Sequence, residues 1–452
     1  MLVVCATIVT EMSKQFRGAS ASVVATPCVA VTILLLCPLI AWSGSHKKTA
    51  PPEPLPVRAT LKPSATVPIE PLGFTTPAPF YLGMRNSLVS LDFLDEDHLL
   101  LTFRVPGLIQ RDHHNPLPGE SSLDRQVRAV VLHIPDGAVK AQAMWTLHDR
   151  RRYLWMLENG QFLLRDRDEL KIGDASLQLK PFLRFPGPVL WVEMDPNHKY
   201  MVTGSSEPPT SASNASDVPS PATATATLVS DDPKSESEPD LILRILRRDS
   251  GKVMLVSHVK SSVHLPINTD GFLETLRGNG KAWLVNLNHF DGGSTILGSV
   301  DSFCSPMLDF VSSREFLAST CESDGDPRVV AMTTGGRRLW ESRSGSMVWP
   351  VLVTGGDGLR VARETLMVSH GVNAVAPLGT DDIKGQDVQV LDAATGRVVL
   401  RAQASPVFDV GGNVAISPSG QRVAIIMAEG LQIFDLPPPP PLPSDAAAPS
   451  RR

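Results

Sequence analysis

Two polar segments carry residues able to hold a divalent cation. Segment 107–126 contains Asp112, His113 and His114, and segment 370–386 contains His370, Asp381 and Asp382. Neutral imidazoles and carboxylates ligate zinc or a similar ion when three or four of them converge. Adjacent histidines in a polar loop read first as solvated side chains, so His113, His114, His370, Asp381 and Asp382 stand only as candidates, and no resident metal is assigned. "TDDIKGQD" lacks the alternating ligands and terminal glutamate of a calcium loop.

Cys5, Cys28 and Cys37 lie near the N-terminus, which leaves Cys304 and Cys321 in the body of the chain. A two-residue turn at Ser312-Ser313 sets these two directly opposite on paired strands, at a separation a disulfide accepts. A three-residue turn instead brings Phe310 opposite Phe316 and moves the cysteines one step out of line. Both registers are open, and a bridge without a catalytic role is the expectation.

Arg150, Arg151 and Arg152 stand beside Tyr153 and Trp155. They offer a phosphate contact or, more simply, a solvated turn at a strand entrance. With 42 basic against 47 acidic residues and no basic block, nucleic acid is excluded as a partner. G-x-S-x-G, H-E-x-x-H, Walker A and G-x-G-x-x-G patterns are absent, and no cofactor is implied.

The elements that position these residues are strands. "NVAIS", a Pro418-Ser419-Gly420 turn, "RVAIIMA" and "LQIFDL" follow one another at 413–436. Proline then glycine makes a tight turn between β-branched runs. Similar strand–turn–strand units begin near residues 87, 153, 189, 263, 306 and 348, and a second hairpin follows each of these six. With the insertions 107–126, 204–239 and 370–386 set aside, the units average about 41 residues, the spacing of a four-stranded propeller blade. The fold class read from this pattern is all-β: a seven-bladed β-propeller over 80–436, built of four antiparallel strands (a to d) per blade. The last unit lacks its fourth strand, so a segment from the N-terminal side, "LPVRATL" (55–61) or "PFYLGM" (79–84), is expected to complete it.

The "LxIFDL" units resemble WD-repeat and related periplasmic propellers. "AMTTGGRRLWES" and "LDAATGRVVLRA" resemble the hairpins of pyrroloquinoline-quinone-type propellers. The resemblance covers most of 80–436 and implies fold rather than activity. A quinoprotein dehydrogenase would offer adjacent cysteines over its cofactor, and Cys304 and Cys321 are not adjacent.

Outside the ring, residues 23–42 form an uncharged apolar stretch after Lys14 and Arg17. It reads as a hydrophobic helix: a cleaved signal peptide or a single transmembrane anchor within 1–45, with Met1 or Met12 as the start. A proline-rich tether (46–79), a disordered insertion (204–239) holding the Asn214-Ala215-Ser216 sequon, and a disordered proline-rich tail (437–452) complete the expected organisation. The chain is then exported, at the periplasmic or extracytoplasmic side of the membrane. All three insertions join strands b and c of their blades and so emerge on one face, the expected site of a protein or peptide partner. A non-catalytic interaction scaffold of the cell envelope is the leading reading. A lactonase-like, metal-dependent propeller hydrolase is the alternative, disfavoured because the inner strands begin mostly with apolar residues.

Overall fold

The computed structural model describes residues 59–76, 89–105, 124–148, 152–207, 240–323, 325–346, 350–355, 358–369, 382–408 and 411–439. Among the described residues, twenty-seven strands form seven antiparallel sheets arranged as successive blades. Blade one holds β2 (Val89–Phe93), β3 (His98–Arg104), β4 (Asp124–His133) and β5 (Val139–His148). Blade two holds β6 (Leu154–Met156), β7 (Phe162–Asp166), β8 (Glu169–Gly173) and β9 (Lys180–Arg184). Blade three runs from β10 (Val189–Met194) and β11 (Tyr200–Glu207) to β12 (Asp240–Arg247) and β13 (Val253–Val259).

Blade four is thinner. It has β14 (Gly271–Arg277), β15 (Ala282–His289) and β16 (Ser294–Asp301), while its innermost segment pairs only through an Ile267–Phe272 bridge. Blade five comprises β17 (Met307–Phe310), β18 (Glu315–Ser319), β19 (Arg328–Thr333) and β20 (Arg338–Arg343). Blade six comprises β21 (Val351–Gly355), β22 (Arg360–Val368), β23 (Ile383–Asp392) and β24 (Val398–Ala404). Blade seven takes β25 (Val414–Ile416), β26 (Arg422–Met427) and β27 (Gly430–Asp435) from the C-terminal end. Its fourth strand, β1 (Ala65–Val67), comes from the N-terminal side and pairs Ala65 with Ile433 and Val67 with Leu431.

The ring is closed, as expected, by a strand from the N-terminal stretch 55–84 beside "LQIFDL", but it lies between the two candidates 55–61 and 79–84, within the segment read as a tether. Ser64 N–H donates to Ile433 O at 2.8 Å, and farther out Thr60 N–H donates to Arg401 O of blade six at 2.8 Å. Glu96 of blade one then accepts from the Ser419 hydroxyl at 2.8 Å, and Arg422 donates to Glu96 O at 2.9 Å. The Ser-Pro-Ser-Gly turn thus fastens the last blade to the first.

Second strands are buried on both faces because each blade is sandwiched between two others. Leu99, Leu100 and Leu101 are consecutive and fully buried, so this strand reads as a continuous apolar run and not an alternating one. Each such leucine stabilises the ring by about 1.5–3 kcal/mol. Leu99, Leu101 and Leu132 pack against Ala424, Ile426 and Ile433 across the closing joint. The hairpins resembling quinoprotein propellers have a visible role. Trp340 of β20 donates its indole N–H to Ala393 O, and a Cβ at Gly396 (φ +68°) would sit 2.6 Å from its ring. Only glycine suits both that backbone and that contact.

Three boundaries shift from the sequence reading. Residues 204–207 belong to β11, β4 begins at Asp124, and β23 begins at Ile383, so the b–c connections span 105–123, 208–239 and 369–382. Among the described residues helical structure is limited to short 3-10 turns such as Glu70–Leu72, and no helix there is long and apolar enough to cross a membrane. The expected N-terminal helix lies outside the described residues, as do the sequon and the tail beyond residue 439.

Candidate functional site: the central channel

The innermost strand or, in blade four, the innermost segment of each blade lines a central cavity of about 970 Å³, at the upper end of the range for pockets that enclose a small ligand. Its wall is uneven. Val351, Leu352 and Val353 of β21 and Val414, Ala415 and Ile416 of β25 make an apolar sector. Blades one to five contribute the charges, so inner strands read as apolar do carry acids.

Across blades three, four and five, Glu193, His264 and Asp309 form one cluster. His264 Nδ1 lies 3.0 Å from Glu193 Oε1, and its Nε2 lies 3.4 Å from Asp309 Oδ1 and within hydrogen-bond reach of Leu308 O. Leu265 N–H donates to Glu193 Oε2 at 2.9 Å. Crowding by the channel wall works against a charged ring, but the two carboxylates outweigh it and raise the imidazole to about 11. The side chain keeps 41% of its surface open to the channel, so the charge is crowded by protein and still wet. The cluster stands where blade four lacks a full inner strand, and it links that blade to both neighbours.

On blades one and two, the Ser90 hydroxyl donates to Asp92, and burial pushes the Asp92 carboxyl up. Arg152 Nε donates to Leu154 O at 3.0 Å, and its Cζ lies 5.5 Å from the Trp155 ring centre. The arginine read as part of a solvated turn is therefore folded along its own strand on the channel wall. Arg150 and Arg151 lie outside the described residues.

At the opposite rim Glu158 is held by His198, 3.4 Å away, and by Arg248. Asp195 accepts backbone N–H bonds from Asn197 and Tyr200 at 3.0 and 2.6 Å.

Behind the wall between blades six and seven sits Glu364, 2% exposed. Its Oε2 accepts from Gln386 Nε2 at 2.6 Å, and Gln386 Oε1 accepts from Phe408 N–H and Asn413 Nδ2, both at 2.9 Å. The other oxygen, Oε1, is buried without a partner, and burial pushes this carboxyl up to about 8.

Of the metal candidates, His113, His114, His370 and Asp381 lie outside the described residues. Asp382 is described, and its carbonyl accepts from Ser369 N–H at 2.8 Å. Among the described residues no group of three or more His, Cys, Asp or Glu side chains is arranged to hold a metal. Cys304 and Cys321 do meet: their Cα atoms are 5.5 Å apart and their sulfurs are bonded. The register is the three-residue one, with Phe310 opposite Phe316. Phe303 N–H donates to Cys321 O at 3.0 Å, so the chain gains residues through Ser305 and Pro306 and returns Cys304 to the side of Cys321.

No protein-family model and no curated protein matches this chain. Several solved structures are similar to it. An acylaminoacyl peptidase from Pyrococcus horikoshii is 8% identical with a TM-score of 0.41, over 75% of this chain and 49% of that one. The chain thus spans about half the length of that enzyme. The C-terminal WD40 domain of Sif2 is 12% identical (TM-score 0.38), over 78% of this chain and 96% of that one. TolB from Acinetobacter baumannii is 16% identical (TM-score 0.35), over 70% and 75% respectively. At these identities the likeness concerns the fold alone.

Proposed function

We propose that the chain is a non-catalytic propeller scaffold of the cell envelope, exported or held at the membrane through residues 23–42. It binds a protein or peptide on the face where b–c and d–a connections emerge. One observation carries this reading. Apart from 260–270, which carries the innermost segment of blade four across the ring, every connection between β1 and β27 longer than six residues is anchored on that face, including 68–88, 105–123, 208–239 and 369–382. On the opposite face the longest is the six-residue 174–179 turn. A ring that anchors its long connections on one face is the arrangement by which loops present recognition residues on a scaffold.

The test exchanges 208–239 and 369–382 for short turns and compares capture of partners from envelope extracts with that by the intact chain. Loss of a captured protein, with the melting temperature kept, supports the reading. Undiminished capture contradicts it.

The hydrolase alternative draws on Asp92, Glu193 and Asp309, which reach the channel from inner strands. Each is already engaged, Asp92 by Ser90 and the other two by His264, and this favours the scaffold. Metal analysis of the purified chain, with assays on ester and lactone substrates, separates the two.

A further inference from the structure

The charged groups lining the channel are nearly all committed: Glu193 and Asp309 to His264, Glu158 to His198 and Arg248, Asp195 to backbone N–H groups, and Asp92 to Ser90. Arg152 differs. Only its Nε is used, on Leu154 O, while its Cζ lies 5.5 Å from the Trp155 ring centre. Among the described residues it makes no ion pair, so both terminal nitrogens are left to the cavity.

We infer that Arg152, set on Trp155, is a carboxylate-binding site inside the channel, and that its ligand is a carboxylate on an apolar body of about the size of a short peptide. A planar guanidinium with two uncommitted nitrogens matches the two oxygens of a carboxylate bidentately. Orientation by Leu154 and Trp155 reduces the freedom lost on binding. The apolar body has a surface to meet in the half-buried Val351, Leu352 and Val353 on the channel wall. Asp92 is the one acid whose charge acts on Arg152, and it is held by a hydrogen bond from Ser90. A peptide C-terminus and a small aliphatic acid share this chemistry. The inference rests on the peptide-binding reading above only for the choice between those sources.

The experiment is calorimetry on the full chain with three probes: an N-acetylated Leu/Val tetrapeptide acid, its C-terminal amide, and 4-methylpentanoate. The acid is expected to bind about tenfold or more tightly than the amide, the scale of one charge-assisted bidentate contact. R152Q should erase that difference, R152K should keep part of it, and D92N should keep it whole. Binding of 4-methylpentanoate alone assigns the site to small acids, and binding of the tetrapeptide acid alone assigns it to peptide ends. Equal binding of acid and amide, no binding of any of the three probes, or an unchanged preference in R152Q overturns the inference. The loop-exchanged chain keeps Arg152, so loss of its protein partner with carboxylate binding intact counts against neither statement.

Discussion

His264 Nδ1 stands 3.0 Å from Glu193 Oε1 across the joint between blades three and four, where the fourth blade has almost no inner strand of its own. The contact replaces backbone pairing with a charged clasp. Because His264 is raised to about 11 in the folded chain, against an ordinary value near 6.5, its contribution is complete below pH 6.5. It declines as the pH rises through 11. H264Q should therefore melt lower than the intact chain at pH 6, with the gap closing toward pH 11. A gap independent of pH would mean that the imidazole acts only by packing.

Glu364 titrates with the opposite consequence. It is an acid raised by burial to about 8, so the folded chain holds a proton that the unfolded chain releases above about 4.5. Stability falls from pH 4.5 to 8 and levels off above that. E364Q removes the titration and should be the more stable form at pH 9, by an amount on the order of a few kcal/mol. Denaturant melts of both chains at pH 5 and 9 read this directly, and identical pH dependences would refute it.

The bond between Cys304 and Cys321 closes a short segment, the two positions being 17 apart. Removing it should cost roughly 3 kcal/mol. Thiol titration of the unfolded, unreduced chain is expected to find no reactive thiol at these positions, and the C304A/C321A chain should unfold at lower denaturant. Two free thiols would refute the bridge.

Ring closure depends on three residues. Val67 is 4% exposed and pairs with Leu431, so V67D places a charge against the closing joint. The expected cost is about 3 kcal/mol or more, and a chain beginning at Leu88 should lose stability sharply. A truncated chain that melts like the intact one would contradict closure by β1.

Much of the ring was legible in the sequence, because second strands such as β3 and β26 are continuous apolar runs cut by Gly/Pro turns. The count of blades followed from their spacing. β1 was harder to place: "ATV" lies between prolines and is too short to show a period. The register at Ser312-Ser313 needed coordinates, since two- and three-residue turns each offered an attractive pairing. Site residues were hardest. Glu193, His264 and Asp309 lie on three different blades, Glu364 meets Gln386 across adjacent strands of blade six while Gln386 meets Asn413 only through the blade six–seven joint, and Arg152 resembles any surface arginine until its strand is put inside the ring. Contacts made by ring closure leave no short spacing to read.

Site-specific photocrosslinking tests the central claim most directly, that one face of this propeller meets the partner. A photoreactive residue is placed at Val105 or Ser369, beside the long connections, and at Ser250 or Arg337 in turns of the opposite face. Crosslinks to a captured protein are predicted from the first pair and not from the second. Crosslinks from Ser250 and Arg337, with none from Val105 and Ser369, would contradict the account.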